Sequence, residues 1–285
     1  MRNALSVVGL ACALLMSCGS HFATPSPSSS TLPPRDLTDI LHRSRNATVK
    51  IVSVPGDSQG TGFLINDQYV ATAFHVIGSH AQHGSQIDFQ IFADIRVTFP
   101  TGEEISATCT SIPTQTDMTP IADDFAILKL ASRPQSHPAS LPLAQDSHAG
   151  EIGDDIVFSG YPLDVPVMVT HRGFVSGRII EPTILALQAP INKGNSGGAV
   201  LNANGEVIGI ITLREGGISK GLETLREQIR ENAKSGSITF NNIDPLLGVN
   251  AVIDTLDKYI SPGIGYALGV RYLREYIRSH PRSAG

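Results

Sequence analysis

The sequence predicts an all-β fold of closed antiparallel sheets. Three observations carry that expectation. Short β-prone apolar runs recur along most of the chain, and turn-forming residues separate them. Glycine and proline are plentiful, 27 and 18 of 285 residues, as many short strands and tight connections require. The run from Ala199 to Thr212 places two apolar segments around Asn204-Gly205, a strong short-range hairpin signal.

Strands are expected at about 48–54, 60–66, 69–74, 87–99, 104–112, 124–130, 154–160, 167–181, 183–189, 198–202, 206–213 and 264–268. In residues 60–77, G-T-G-F-L-I-N-D-Q-Y-V-A-T-A-F-H-V-I, two of these strands meet at a turn formed by Asn66-Asp67, and His75 stands where the second one ends. Asp123 and Asp124 immediately precede the alternating run F-A-I-L-K-L. Helices interrupt the pattern late in the chain. From Ser219 to Lys234, Leu222, Leu225, Ile229 and Ala233 recur at helical spacing among charged residues, which makes an amphipathic helix. A short helix from Ala251 to Tyr259 is expected with Leu246, Leu247, Val252, Ile253 and Leu256 on its packing side, and a last helix in L-G-V-R-Y-L-R-E-Y-I-R-S-H.

The pentapeptide G-N-S-G-G at 194–198 carries the chemistry. A serine hydroxyl is a poor nucleophile unless it sits on a tight turn, beside a base and facing N–H groups aimed at the oxygen that becomes charged. Glycines at 194, 197 and 198 permit such a turn, so the amides of Gly194 and Ser196 can point into one oxyanion cavity. The pattern G-x-S-x-G also describes the strand-to-helix elbow of α/β-hydrolases, but here a hairpin follows the serine rather than a helix. Partners then lie upstream, and the order His75, Asp124, Ser196 is one of the known chain orders of a catalytic triad. Taken singly, each residue has a plainer reading as a turn serine, a solvated carboxylate or a surface histidine.

The blocks G-T-G-F-L-I, A-T-A-F-H-V, D-F-A-I-L-K-L, Q-A-P-I-N-K-G-N-S-G-G-A-V and G-I-G-Y-A-L resemble the trypsin-like peptidases, and within them the bacterial HtrA/Deg type without a PDZ domain. The resemblance spans roughly residues 45–280. It implies two packed six-stranded chymotrypsin-like β-barrels at about 45–135 and 150–270, with a linker near 131–150, a C-terminal helix and a helical insertion at about 215–260. It implies His75 as general base, Asp124 rather than Asp123 as its orienting carboxylate, Ser196 as nucleophile, and Gly194 and Ser196 as oxyanion donors. The reaction would be serine endopeptidase cleavage of secreted or cell-envelope polypeptides through an acyl-enzyme, without a cofactor.

The resemblance also locates a specificity pocket. Its floor would lie six residues before the nucleophile at Pro190, beside Ile191, with walls from Ile211, Thr212 and Leu213. No carboxylate stands there to attract Arg or Lys, so cleavage after small or medium apolar residues is expected. The chain departs from the family between Leu213 and Gly263, where about fifty residues replace a short loop. That insertion is either packing or a lid at the rim of the cleft.

The N-terminus addresses the compartment. Met1-Arg2-Asn3, an apolar run from Ala4 to Met16 and Leu15-Met16-Ser17-Cys18 read as a signal peptide over 1–18 with a lipobox-like end, placing lipidation at Cys18. Residues 19–36, rich in Ser, Pro and Thr, read as a tether, and 37–285 as the protease domain. The expected location is exported, periplasmic or outer cell envelope, with membrane attachment through Cys18. Cys12 and Cys18 belong to the leader, so Cys109 stands alone in the domain and no disulfide forms within it. A net charge of −5 gives no reason to expect nucleic acid. The segment after His75 reads as a solvated turn of helix on which His80 and His83 could share a face, but no third ligand is evident, so no metal is expected. His171 reads as a strand surface residue, and oligomeric state is not legible. Other readings remain open at this point: a catalytically silent barrel that binds unfolded polypeptide or a partner, an esterase using the same triad, and an α/β-hydrolase using Ser196, Asp257 and His280.

Overall fold

The computed structural model describes residues 37–54, 58–83, 86–111, 124–145, 150–163, 165–179, 183–214, 220–234, 244–259 and 263–279. The chain divides into residues 1–33 and 34–285, and all described residues belong to the second unit. Cys18, the expected tether, Asp123 and His280 lie outside the described residues.

Two closed six-stranded antiparallel barrels form this unit. The first contains β1 (Thr48–Ser53), β2 (Ser58–Leu64), β3 (Tyr69–Thr72), β6 (Ile95–Thr98), β7 (Glu104–Ser111) and β8 (Ala126–Leu130), ordered β1-β2-β3-β8-β7-β6. A two-stranded sheet of β4 (Gly78–His83) and β5 (Gln86–Ile91) stands beside it. The second barrel contains β9 (Asp155–Gly160), β10 (Val169–Ile179), β11 (Ile184–Gln188), β12 (Ala199–Leu201), β13 (Val207–Arg214) and β14 (Ile264–Gly269), ordered β10-β11-β14-β13-β12-β9. Closure leaves neither barrel an open edge. The expected hairpin after Ser196 is β12–β13, turning at Gly205 with φ 71°. That antiparallel hairpin overturns the α/β-hydrolase reading: no helix follows the nucleophile turn, and both barrels are antiparallel throughout.

Alternation fills each barrel. Val49, Ile51, Leu64, Val70, Val97, Ala126 and Leu128 are buried in the first. In the second, Ile156, Phe158, Leu185, Leu187, Val200, Ile208, Ile210 and Leu268 form one cluster that continues through Phe63, Ala71 and Ile127. Strands β2, β3 and β8 thus pack on both sides, with Leu64, Val70, Ala126 and Leu128 in the first core and the alternating Phe63, Ala71 and Ile127 against the second.

Four elements differ from expectation. The strand expected over 87–99 is two strands, because Asp94 takes φ 53° and breaks the ladder between β5 and β6. His75 follows β3 in a single helical turn, α2 (Phe74–Ile77), and His80 and His83 then lie on strand β4 rather than on a turn of helix. The second helix between β13 and β14, α4 (Pro245–Tyr259), begins six residues earlier than expected, while α3 (Lys220–Lys234) matches its spacing. Helix α1 (Leu37–Ala47) is an addition: Ile40, Ser44 and Ala47 lie buried one turn apart, and the chain passes straight from α1 into β1. The final helix is α5 (Arg271–Ser279). Between the barrels, Leu141 N–H donates to Leu64 O and Ala144 N–H to Val207 O, so the linker is tied to both.

Candidate active site

His75 stands on α2, directly after β3, so the register of β3 against β2 and β8 decides where its ring lies. Asp124 stands two residues before the start of β8, the neighbour of β3, and this adjacency brings the two together. Asp124 Oδ2 lies 2.7 Å from His75 Nδ1, and Asp124 Oδ1 accepts the His75 backbone N–H at 3.0 Å. One carboxylate therefore fixes both the ring and the backbone that carries it. The Asp124 side chain is 13% exposed and that of His75 is 43% exposed, so one edge of the ring faces the cleft. Burial is the largest single influence on His75 and pulls its pKa down. The hydrogen bond to Asp124 and its negative charge together outweigh burial, and hold the imidazole above the ordinary 6.5.

Ser196 sits on the loop between β11 and β12. Gly194 and Gly197 take φ 93° and 87°, the left-handed region that glycine enters without strain. Side chains there would collide with Tyr161 O and Thr61 O respectively. The loop is anchored to the first barrel by Thr61: its N–H donates to Ser196 O at 2.8 Å, and its hydroxyl donates to Gly194 O at 2.6 Å. It is anchored to the second barrel by Gly197 N–H to Ile211 O at 2.7 Å and Leu163 N–H to Lys193 O at 2.8 Å. The Val76 side chain and Ser196 O both crowd the Cα of Gly60, so the serine turn and the His75 turn share one neighbour.

Three amides of the pentapeptide are used within the fold: Asn195 N–H to Asn192 O, Gly197 N–H to Ile211 O and Gly198 N–H to Asn195 O. Those of Gly194 and Ser196 have no acceptor among the described residues. Two unspent donors beside a half-buried serine are the kind of groups that a developing negative charge requires. Among the described residues no hydrogen bond joins Ser196 Oγ to the His75 ring, an ordinary state of such sites before substrate binds.

The residues expected to shape the specificity pocket fall in different surroundings. Pro190 is exposed, and Ile191 is buried across Gly265, where a side chain would collide with it. Ile211 belongs to the core cluster, and Thr212 is buried with its hydroxyl unpartnered among the described residues. The side chain of Leu213 lies outside the described residues. His171 is half-buried against Phe158, with ring centroids 5.0 Å apart. Cys109 is half-buried on β7 and is in no disulfide among the described residues. Among the described residues, no group of three or more His, Cys, Asp and Glu could hold a metal, and no helix is long and apolar enough to cross a membrane. Thr61 and Asn195 are parts of the site that sequence reading passed over. Asn195 is fully buried under the serine turn, and the only signal for Thr61 is its place between Gly60 and Gly62.

The family model described as the trypsin-like peptidase domain matches residues 60–210. The magnetosome formation protease MamE of Magnetospirillum gryphiswaldense is 29% identical over 183 residues, 61% of this chain and 21% of that protein. The serine protease Do-like HtrA of Lactococcus lactis subsp. cremoris is 29% identical over 221 residues, 68% of this chain and 49% of that protein. The chain thus spans between a fifth and a half of the length of these curated relatives. Among solved structures, the serine endoprotease from Yersinia pestis superposes with a TM-score of 0.56 at 21% identity, over 87% of this chain and 68% of that one, a likeness of fold.

Proposed function

Because this chain belongs to the trypsin-like peptidase family, we propose that it is a serine endopeptidase in which His75, Asp124 and Ser196 act as one unit. The observation that carries this reading is the double grip of Asp124 on His75, beside a serine turn with two unspent amides. With Nδ1–H directed to Asp124, His75 presents Nε2 as the base. Nε2 takes the proton of Ser196 as Oγ attacks the substrate carbonyl, and the carbonyl oxygen becomes an alkoxide facing the amides of Gly194 and Ser196. The imidazolium returns its proton to the departing amine, leaving an ester on Ser196. Water, deprotonated by the same Nε2, hydrolyses that ester and regenerates the hydroxyl.

Substrates are polypeptides, cleaved after small or medium apolar residues. This preference rests on the absence of a carboxylate among Pro190, Ile191, Ile211, Thr212 and Leu213, and on Ile191 filling the space across Gly265. The protein acts after export, held at a membrane by a lipid on Cys18 and a tether over 19–36. Curated relatives named as probable periplasmic DegP-like endoproteases, such as that of Chlamydia trachomatis, support the export. Fatty-acid labelling that survives Cys18→Ser would refute the anchor.

A fluorophosphonate probe should label Ser196, and Ser196→Ala should abolish labelling and lower casein cleavage by about 10⁶, the scale on which triad members act. Labelling that persists in Ser196→Ala removes the assignment. An unlabelled but folded wild-type protein would instead favour a silent barrel that binds polypeptide.

A further inference from the structure

A groove of about 670 Å³ is lined by α1, by β1, β2 and β6 of the first barrel with the turn after β6, and by the segment joining β9 to β10. Two of its lining residues reach the Ser196 turn. Gln59 precedes Gly60, which Ser196 O crowds, and donates to Tyr161 O at 3.4 Å; Tyr161 O in turn crowds Gly194. The residues expected to hold the side chain before the scissile bond belong to the β11–β12 loop and β13, whereas this groove belongs to α1, β1, β2, β6 and the β9–β10 segment. Gln59 and Tyr161 are therefore common to the groove and to the surroundings of the serine turn.

The charge of the groove is one-sided. Among the described residues that line it, Arg45 and Lys50 are charged, and no acid is present. Lys50 is placed by register: it pairs with Thr61 on one side and Thr98 on the other, so the three share one face of the barrel. Thr61 is the residue that grips Gly194 and Ser196, so Lys50 lies one strand spacing, about 4.8 Å, from a residue touching the serine turn. Arg45 donates to Met168 O and to Thr170 Oγ1 at 3.0 Å, and its charge reaches the Tyr161 hydroxyl. The acid on the neighbouring turn, Glu103, accepts Gln135 N–H instead. Asp164 of the β9–β10 segment lies outside the described residues. Val165 and Val167 are exposed along the rim.

We propose that this groove receives the peptide after the scissile bond and selects an acidic side chain about two to four residues beyond it, through Lys50 and Arg45. The inference rests on the endopeptidase reading above and adds the substrate feature that reading lacks. An extended peptide advances about 3.3 Å per residue, so two to four residues cover about 7–13 Å, and Lys50 lies one strand spacing of about 4.8 Å beyond Thr61, whose N–H holds Ser196 O.

The test uses three quenched peptides that share an apolar residue before the scissile bond and carry Glu, Ala or Lys at the second to fourth positions after it. Wild-type protein should cleave the Glu peptide with kcat/KM about three- to tenfold above the Lys peptide, the range of one or two partly exposed ion pairs, and the ratio should shrink as salt rises. Lys50→Glu should reverse the order with an unchanged melting temperature. Equal ratios in wild type and Lys50→Glu overturn the proposal. If Ser196 proves uncatalytic by probe labelling, the same peptides are titrated onto the protein by fluorescence anisotropy. Acid-selective binding lost in Lys50→Glu then keeps the groove while the peptidase reading fails, and unselective binding overturns the groove as well.

Discussion

Two opposing influences meet at His75, and their balance predicts a pH profile. Burial favours the neutral ring, but the hydrogen bond and charge of Asp124 prevail and raise the pKa above 6.5. A general base must be neutral, so kcat/KM should fall as pH drops through that raised value. Asp124→Asn removes both raising influences and leaves burial, so the acid limb should move to lower pH while turnover drops by about 10⁴, because the ring loses its tautomer and orientation. The same shift stabilises the folded protein below the unfolded pKa, and this contribution fades as pH rises through the folded one. With 43% of the side chain in solvent, that contribution is small. An acid limb unmoved in Asp124→Asn would remove Asp124 from the proposed triad. Thr61 offers a second test. Its hydroxyl donates to Gly194 O and accepts Tyr161 N–H at 3.0 Å, so Thr61→Val strands a part-buried amide. A loss of about 1–3 kcal/mol is expected in denaturant unfolding, with a larger loss in kcat than in KM as the serine turn loosens. The order of His75, Asp124 and Ser196 was legible in sequence because each stands at the edge of a recognisable strand or turn. Thr61 was not, because its importance arises between barrels far apart in the chain. Composition did not separate Asp124 from its neighbour Asp123, because the pairing of β3 with β8 that brings Asp124 to His75 is a long-range contact.

Elements were legible wherever periodicity or turn chemistry was strong, and failed where a single residue or a tertiary contact decided. The hairpin at Asn204-Gly205 and helix α3 follow directly from local pattern. The break between β5 and β6 rests on the positive φ of Asp94, whose side chain pairs with Arg96, a local contact that alternation does not reveal. Helix α1 escaped because Leu37, Ile40 and Leu41 follow a Ser/Pro-rich stretch, and only the second barrel gives them something to pack on. Its polar side is as integrated as its apolar one: Ser44 Oγ lies 2.7 Å from Ser159 Oγ, which lies 2.9 Å from Thr170 Oγ1, the acceptor of Arg45. The helix is thus a structural part of the domain rather than an extension of a tether. Ile40→Ala should accordingly lower stability by about 2–4 kcal/mol, the cost of emptying a buried aliphatic site, read as a lower denaturation midpoint at unchanged slope. An unchanged midpoint would mean that α1 docks without contributing to the core.

At the scale of the molecule, α3 and α4, the two helices between β13 and β14, pack on each other apart from the barrel cores. Ile229 of α3 and Ile253 of α4 bury together with Leu246 against them, a cluster distinct from both barrel cores. Leu247, Val249 and Val252 of α4 remain exposed, so among the described residues the hairpin satisfies itself more than it supports the barrels. The strands it interrupts are neighbours: Leu213 pairs with Tyr266 and Arg214 with Gly265. Two residues already paired need only a short loop, and the closure entropy of a long connection is removed with it. Replacing residues 217–260 by a short Gly-Ser turn should therefore leave the melting temperature of the barrels within a few degrees. If the hairpin is a lid over the cleft, the same variant should cleave short peptides faster than wild type, because substrate entry no longer waits on its displacement. A folded variant with unchanged rates rules out the lid and leaves the exposed face of α4 as a surface feature. A variant that melts earlier instead shows that the hairpin shields barrel surface, and differential scanning calorimetry together with peptide kinetics on the one protein distinguishes the three.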